Sequence, residues 1–284
     1  MGPANPYHGK MDLRSTDITG TTADGKPAGT GHELNADVSW DSFDPAAYID
    51  HNYRFLRPDD EEIIRFVRDH FSDHFRARSE NSGRPLRGID VGAGANLYPA
   101  LSMLPWCDEI TLLERSAANV EYLREQCAGY DPHWNEFWQV LRKEPAYHDL
   151  AENPRVRFSR TVQVKRGNLF DLDGLPGHWS IGTMFFVAES MSTSHHEFEQ
   201  GVERFMRALA PGAPFAAAFM EGSLGYEVGG HVFPACAVTS KEVRAALTPF
   251  TEGKVDIRPI GMPGGALRPG YEGMIVACGR RGPE

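Results

Sequence analysis

Basic charge, cysteine and long apolar runs are all in short supply in this chain. Its 29 Lys and Arg residues face 39 Asp and Glu, a formal net charge of −10, and Arg far outnumbers Lys. Nucleic acid is therefore not the expected partner, since binding a phosphate backbone asks for a basic face. The 4 cysteines, Cys107, Cys127, Cys236 and Cys278, are widely separated and form no C-x-x-C pair. No zinc site, and no other metal centre, is expected from such spacing. No signal-like segment opens the chain, so the thiols are read as reduced and the protein as cytoplasmic. No apolar run approaches the roughly 18 residues that a membrane span needs. What remains is a globular composition, 41% hydrophobic over 284 residues, enough for one large domain with appendages.

The first forty residues are poor in apolar groups as well. Gly, Thr, Asp, Pro and Asn dominate 20–35, which predicts a flexible tail over 1–40 and one folded domain over 41–284. The alternative is that this tail orders over a ligand as a lid.

One further absence is the most informative. Residues 84–97 read Arg-Pro-Leu-Arg-Gly-Ile-Asp-Val-Gly-Ala-Gly-Ala-Asn-Leu. An apolar strand there runs into an acid and a small-residue turn, Asp90, Gly92 and Gly94. A second apolar strand, Glu109 to Leu113, ends in Glu114. This is the form of a nucleoside-binding βαβ unit: the glycines admit the ligand to the backbone, and the acid after the second strand accepts the ribose hydroxyls. A dinucleotide fingerprint has a third glycine, where a pyrophosphate sits on the helix N-terminus. Leu97 stands there instead, and the turn holds no basic residue. A cationic, phosphate-free nucleoside such as S-adenosylmethionine fits an acid-framed turn better than NAD does. A nicotinamide or flavin cofactor, or a turn that serves packing alone, are the competing readings.

Around that unit the pattern alternates between helix and strand. Asp44-Pro45 signals a helix start, and Asp59 to Phe75 carries Ile63, Ile64, Phe66, Val67, Phe71 and Phe75 on one face, a packing stripe. Ser116 to Cys127 reads as a helix capped by Ser116. The aromatic run 130–149, with His133, Trp134, Phe137, Trp138 and Tyr147, is expected to pack on the sheet, with lining a pocket as the alternative. Residues 156–164 alternate like a strand and 181–188 read as a buried strand ending at Glu189. A helix over 198–209 and a strand over 214–220 ending at Glu221 follow, and strands over 254–260 and 273–279 close as a hairpin. The sum is an α/β fold, a doubly wound, mostly parallel seven-stranded sheet with an antiparallel C-terminal hairpin.

The chain from about Asp44 to Arg280 resembles a class I S-adenosylmethionine-dependent methyltransferase of the nicotinamide, phenylethanolamine and thioether methyltransferase family. Residues 47–55, Ala-Tyr-Ile-Asp-His-Asn-Tyr-Arg-Phe, are similar to the family's opening helix, and Tyr48 and Tyr53 fall on its cofactor-contacting tyrosines. Asp90, Gly92, Gly94, Asn96 and Tyr98 match its glycine loop, and Glu114 and Asn119 its ribose-binding acid and asparagine. Asn168-Leu169 stands where the family has Asp-Val against adenine, and Phe185, within the strand over 181–188, is an expected cofactor contact. Glu272-Gly273 is similar to the family's ending. The resemblance implies an enzyme that methylates a small molecule, most simply at an amine nitrogen, with carbon or oxygen methylation and a non-enzymatic cofactor binder as alternatives.

The resemblance also assigns the acids. Glu189 falls on the residue that meets the substrate amine in amine-methylating members, and Glu221 lies near a second such acid, so both are the expected catalytic residues. Helix capping or pairing with arginine is the structural alternative for Glu189. The acid that the family places ahead of its final strand has no counterpart, because Arg268-Pro269-Gly270 occupies that region. Tyr226, His231 and His195 are the expected substrate contacts, ranked below the glutamates.

Overall fold

The computed structural model describes residues 32–77, 85–262, 265, 267–268 and 270–283. Residues 1–31 of the expected tail lie outside the described residues. After short turns of 3-10 helix at Asn35–Asp37 and Trp40–Ser42, the helices and strands run in order α1 (Pro45–Asn52), α2 (Pro58–Ala77), β1 (Arg87–Val91), α3 (Tyr98–Met103) and β2 (Glu109–Glu114). Then come α4 (Ala117–Gly129), α5 (Trp134–Leu141), α6 (Pro145–His148), α7 (Pro154–Thr161), β3 (Val162–Arg166) and β4 (Ile181–Phe185). The chain closes with α8 (His195–Ala208), β5 (Pro214–Glu221), β6 (Tyr226–Val228), β7 (His231–Phe233), α9 (Ser240–Leu247), β8 (Asp256–Ile260) and β9 (Gly273–Arg280).

Seven strands form one sheet in the order β3-β2-β1-β4-β5-β9-β8. The first five are parallel, and β9 enters antiparallel between β5 and β8. The five inner strands, β2, β1, β4, β5 and β9, are buried on both faces because helices cover both, whereas the edge strands β3 and β8 are largely exposed. Ile63, Val67, Phe71, Leu101, Trp134 and Phe137 belong to one core, and Met184, Phe198, Phe205, Phe219, Val243 and Leu247 to the other. The aromatic run 130–149 packs as expected: Trp134, Phe137 and Tyr147 are fully buried.

Helix starts follow local chemistry. Ser116 caps α4 by accepting from Asn119 N, and Ser194 caps α8 by accepting from Glu197 N. The second cap moves the start of that helix back to His195. The strand expected over 156–164 is helical over 156–161. Asn153 caps α7, Pro154 supplies its first-turn residue, and only Val162 onward is strand.

The strand order reverses between β1 and β4. Their carboxyl ends open a crevice at that switch point, where ligands bind in such sheets. The strand expected to reach Ala188 stops at Phe185, because Phe186 turns into the left-handed region at φ 61°. A bulky residue there costs about 1–2 kcal/mol, and such strain collects at functional sites.

Candidate active site

The crevice is a cavity of about 820 Å³, counting its open mouth. Its floor is the turn after β1. Gly92 N and Ala93 N both donate to Leu113 O at the end of β2, at 2.8 and 3.1 Å. Gly92 sits at φ 65°, and a Cβ there would lie 2.6 Å from the Val187 side chain across the crevice. Only glycine fits that place.

Glu114 closes one wall. Its Oε2 accepts from Gly94 N at 2.8 Å and its Oε1 from Ser116 N at 2.7 Å. Burial pushes the carboxyl above its ordinary range, and those N–H donors pull it back. Beside it lies Asn119, whose buried Oδ1 has no hydrogen-bond partner. Asn168 lines the same end and accepts from Phe170 N at 3.2 Å, next to Leu169 and Gly167. An acid, an unpaired amide oxygen and a glycine turn without a phosphate counter-charge fit the ribose and adenine of a phosphate-free nucleoside.

This end has a cover that sequence reasoning placed in the tail. Asn35 is buried, and Asn35, Trp40 and Phe43 line the cavity. Asn35 Nδ2 reaches Asn168 Oδ1 at 3.4 Å, Asn35 N donates to Glu197 Oε2 at 2.8 Å, and Asn35 Oδ1 accepts from Arg115 at 2.6 Å and from Trp40 Nε1 at 3.0 Å. The described fold thus begins before the expected boundary at 41. Arg115, another residue the sequence reading missed, is engaged by that cover.

The opposite end is aromatic. Tyr48, Tyr53, Phe185, Phe186 and Tyr226 line it, together with Ser190, Met191 and Arg268. Asn96 also faces the cavity, donating to Tyr53 Oη at 3.2 Å.

Several expected site residues are elsewhere. Tyr98 is fully buried in the core, where its hydroxyl donates to Asp60 Oδ1 at 3.1 Å. Asp90 lies beneath the turn and outside the cavity lining. Its Oδ1 accepts from Thr183 Oγ1 at 2.8 Å, its Oδ2 has no partner, and burial pushes its carboxyl up to about 8. Glu221 serves α9, accepting from Ser240 N at 3.2 Å at the first turn of that helix. His195 is exposed in the first turn of α8, against Ala237 O and Glu242. His231 is exposed on the β6–β7 hairpin and does not line the cavity.

Glu189 is intermediate between these cases. It is fully buried, one residue behind the lining residue Ser190. Its Oε1 accepts from Met220 N and Ser190 Oγ, both at 3.0 Å, while Oε2 has no partner. Burial raises its pKa, against the pull of Met220 N and the Arg268 charge. Among the described residues no group of His, Cys, Asp and Glu could hold a metal, and no helix is long and apolar enough to cross a membrane.

Fold and cavity define a class, the S-adenosylmethionine-dependent methyltransferases. Within it the chain belongs to the NNMT/PNMT/TEMT family, whose sequence model matches residues 32–258. A search of curated proteins finds no match. Among solved structures the chain is similar to a methyltransferase dependent on the same cofactor from Methanosarcina mazei, at 13% identity and TM-score 0.51 over 81% of this chain and 100% of that one. It is also similar to the CurJ carbon methyltransferase, at 9% identity and TM-score 0.52 over 87% of this chain and 62% of that one. Both likenesses show the fold. S-adenosylmethionine is the cofactor.

Proposed function

We propose that the protein transfers the methyl group of S-adenosylmethionine to the amine nitrogen of a small molecule held at the aromatic end of the cavity. One observation carries the reading: a single cavity is lined both by Glu114, Asn119 and Asn168 and by Phe186, Tyr226 and Ser190. When bound, the cofactor supplies an electrophilic sulfonium methyl group, whose C–S bond breaks as the N–C bond forms, with the electron pair leaving on sulfur.

The residues hold, align and dry the reactants. Glu114 and Asn119 take the ribose hydroxyls, and Asn168 and Leu169 the adenine. Gly92 and Gly94 keep the floor low enough for close approach. The aromatic rings exclude water from the acceptor. An amine must arrive with a free lone pair and becomes cationic on methylation. Glu189 is a positioning residue for that step, acting through Ser190 and through the field of its charge.

Oxygen or carbon methylation is the second reading, favoured by the Arg268 guanidinium in the cavity, which suits a phenolate or enolate. Formation of S-adenosylhomocysteine is measured with panels of amines, phenols and enols. Turnover of amines supports nitrogen transfer. Turnover confined to phenols or enols replaces it with the second reading, and no turnover with any panel contradicts both.

A further inference from the structure

We propose that Arg268 forms an anion site at the acceptor end of the cavity, and that the methyl acceptor carries a carboxylate. This rests on the assignment of that end as the acceptor chamber. Arg268 comes from the connection between β8 and β9, and its guanidinium lies over the Tyr226 ring, 4.6 Å from the centroid. Its Nη1 donates to Ser190 Oγ at 3.1 Å and Ser223 Oγ at 3.3 Å. Among the described residues its Nε and Nη2 make no hydrogen bond and no carboxylate forms an ion pair with it. Glu189 is the buried acid whose charge it feels, and that acid is already bonded to Met220 N and Ser190 Oγ.

A guanidinium in a cavity wall, with no carboxylate ion-paired to it among the described residues, keeps its charge for an incoming anion. Two free donors in a rigid fork match a carboxylate. The position also separates Arg268 from the adenosine end. Tyr48, Tyr226 and Arg268 line both the main cavity and a second one of about 810 Å³, which is bordered by His51, Asn52 and Glu227. Gly94, Glu114 and Asn168 line only the first. Arg268 therefore stands in the wall between the chamber and the second cavity. Glu189 behind Ser190 and Arg268 in front of it suit an acceptor with an amine at one end and a carboxylate at the other.

A carboxylate could come from the acceptor or from the amino-acid arm of the cofactor, and the test separates them. Methylation by the intact enzyme is compared for glycine and glycinamide, 4-aminobutyrate and 4-aminobutyramide, and anthranilate and anthranilamide. Binding of each to protein saturated with S-adenosylhomocysteine is read by calorimetry. At least one acid is expected to exceed its amide about 10–100-fold in kcat/KM or affinity, the span of a charged hydrogen-bonded pair. R268Q should abolish that preference and R268K keep part of it. Calorimetry with S-adenosylhomocysteine should give R268Q an affinity within about threefold of wild type, which also shows that the variant is folded. Acids no better than their amides in every pair, or bound by neither measure, overturn the proposal. So does a tenfold or larger loss of S-adenosylhomocysteine affinity in R268Q with the acid preference kept, which assigns Arg268 to the cofactor. Turnover of carboxylate-free amines alone would sink the carboxylate while leaving amine methylation intact.

Discussion

At the end of the cavity proposed for adenosine the polar groups follow strand ends: Glu114 closes β2, the glycine turn follows β1 and Asn168 follows β3. At the acceptor end Ser190, Tyr226 and Arg268 come from a loop after β4, a short hairpin and the connection to the last strand. The first end is held by backbone donors, Gly94 N and Ser116 N on Glu114. The second is held by side chains: Arg268 on Ser190 and Ser223, and the Tyr226 hydroxyl on Ser190 O at 3.2 Å. On the proposed division, a rigid scaffold grips the cofactor and loops supply what distinguishes one acceptor from another.

Glu189 is buried behind Ser190 at the proposed acceptor end and is expected to give the largest effect on rate. E189Q keeps the shape and the bonds to Met220 N and Ser190 Oγ but removes the charge. We expect kcat to fall about 10–100-fold, below the usual span for a group in direct contact. Because burial raises this carboxyl, wild-type kcat should climb with pH as Glu189 ionises, and the variant should lack that climb. Equal rates with the same pH profile would leave Glu189 a purely structural residue.

Asn35 asks whether the cover belongs to the adenosine end. N35A loses its contacts to Asn168 and Arg115, and S-adenosylhomocysteine should bind about 3–10-fold more weakly, the worth of a neutral hydrogen bond. Unchanged affinity in calorimetry would separate the cover from the site.

Asp90, beneath the glycine turn, couples stability to pH. Its carboxyl is ordinary when unfolded and pushed up to about 8 when folded, so the folded state binds the extra proton between about 4 and 8. Its contribution to stability is therefore greatest at low pH and declines as pH rises through that window. D90N should melt near wild type at pH 5 and above it by pH 8, by at least about 2–4 °C, the equivalent of about 1 kcal/mol in a chain of this size. A constant difference across that range contradicts the assignment.

The smallest effect is expected at Glu221. E221A removes an acceptor from the first turn of α9 and should cost about 0.5–1.5 kcal/mol in denaturant unfolding. Its KM for cofactor and acceptor should not move, and a rise in either would return Glu221 to the cavity.

The same contrast explains what the sequence could tell. Asp90, Gly92, Gly94 and Glu114 form a local pattern because one βαβ unit brings them together, and the structure puts Gly92, Gly94 and Glu114 on the cavity. Glu189 and Glu221 looked alike as acids closing neighbouring strands. What separates them is the element beyond each: Glu221 meets the N-terminus of α9, whereas Glu189 stays buried behind Ser190. The start of α7 was misread because Val156, Phe158 and Val162 alternate with polar residues, although Asn153-Pro154 carried a helix-start signal. Asn35 and Arg268 reach the cavity through segments without periodicity, so nothing local announced them. For Arg268 the one available signal was a cation in the region where the resembling family has an acid.

Whether the two ends of the cavity do separate work is read by titrating S-adenosylhomocysteine into wild type, E114A and R268Q. Affinity is expected to fall about 10–100-fold in E114A, the cost of losing a charged acceptor, and to change by no more than about threefold in R268Q. Unchanged affinity in E114A, or a loss in R268Q as large as in E114A, would contradict the division of the cavity.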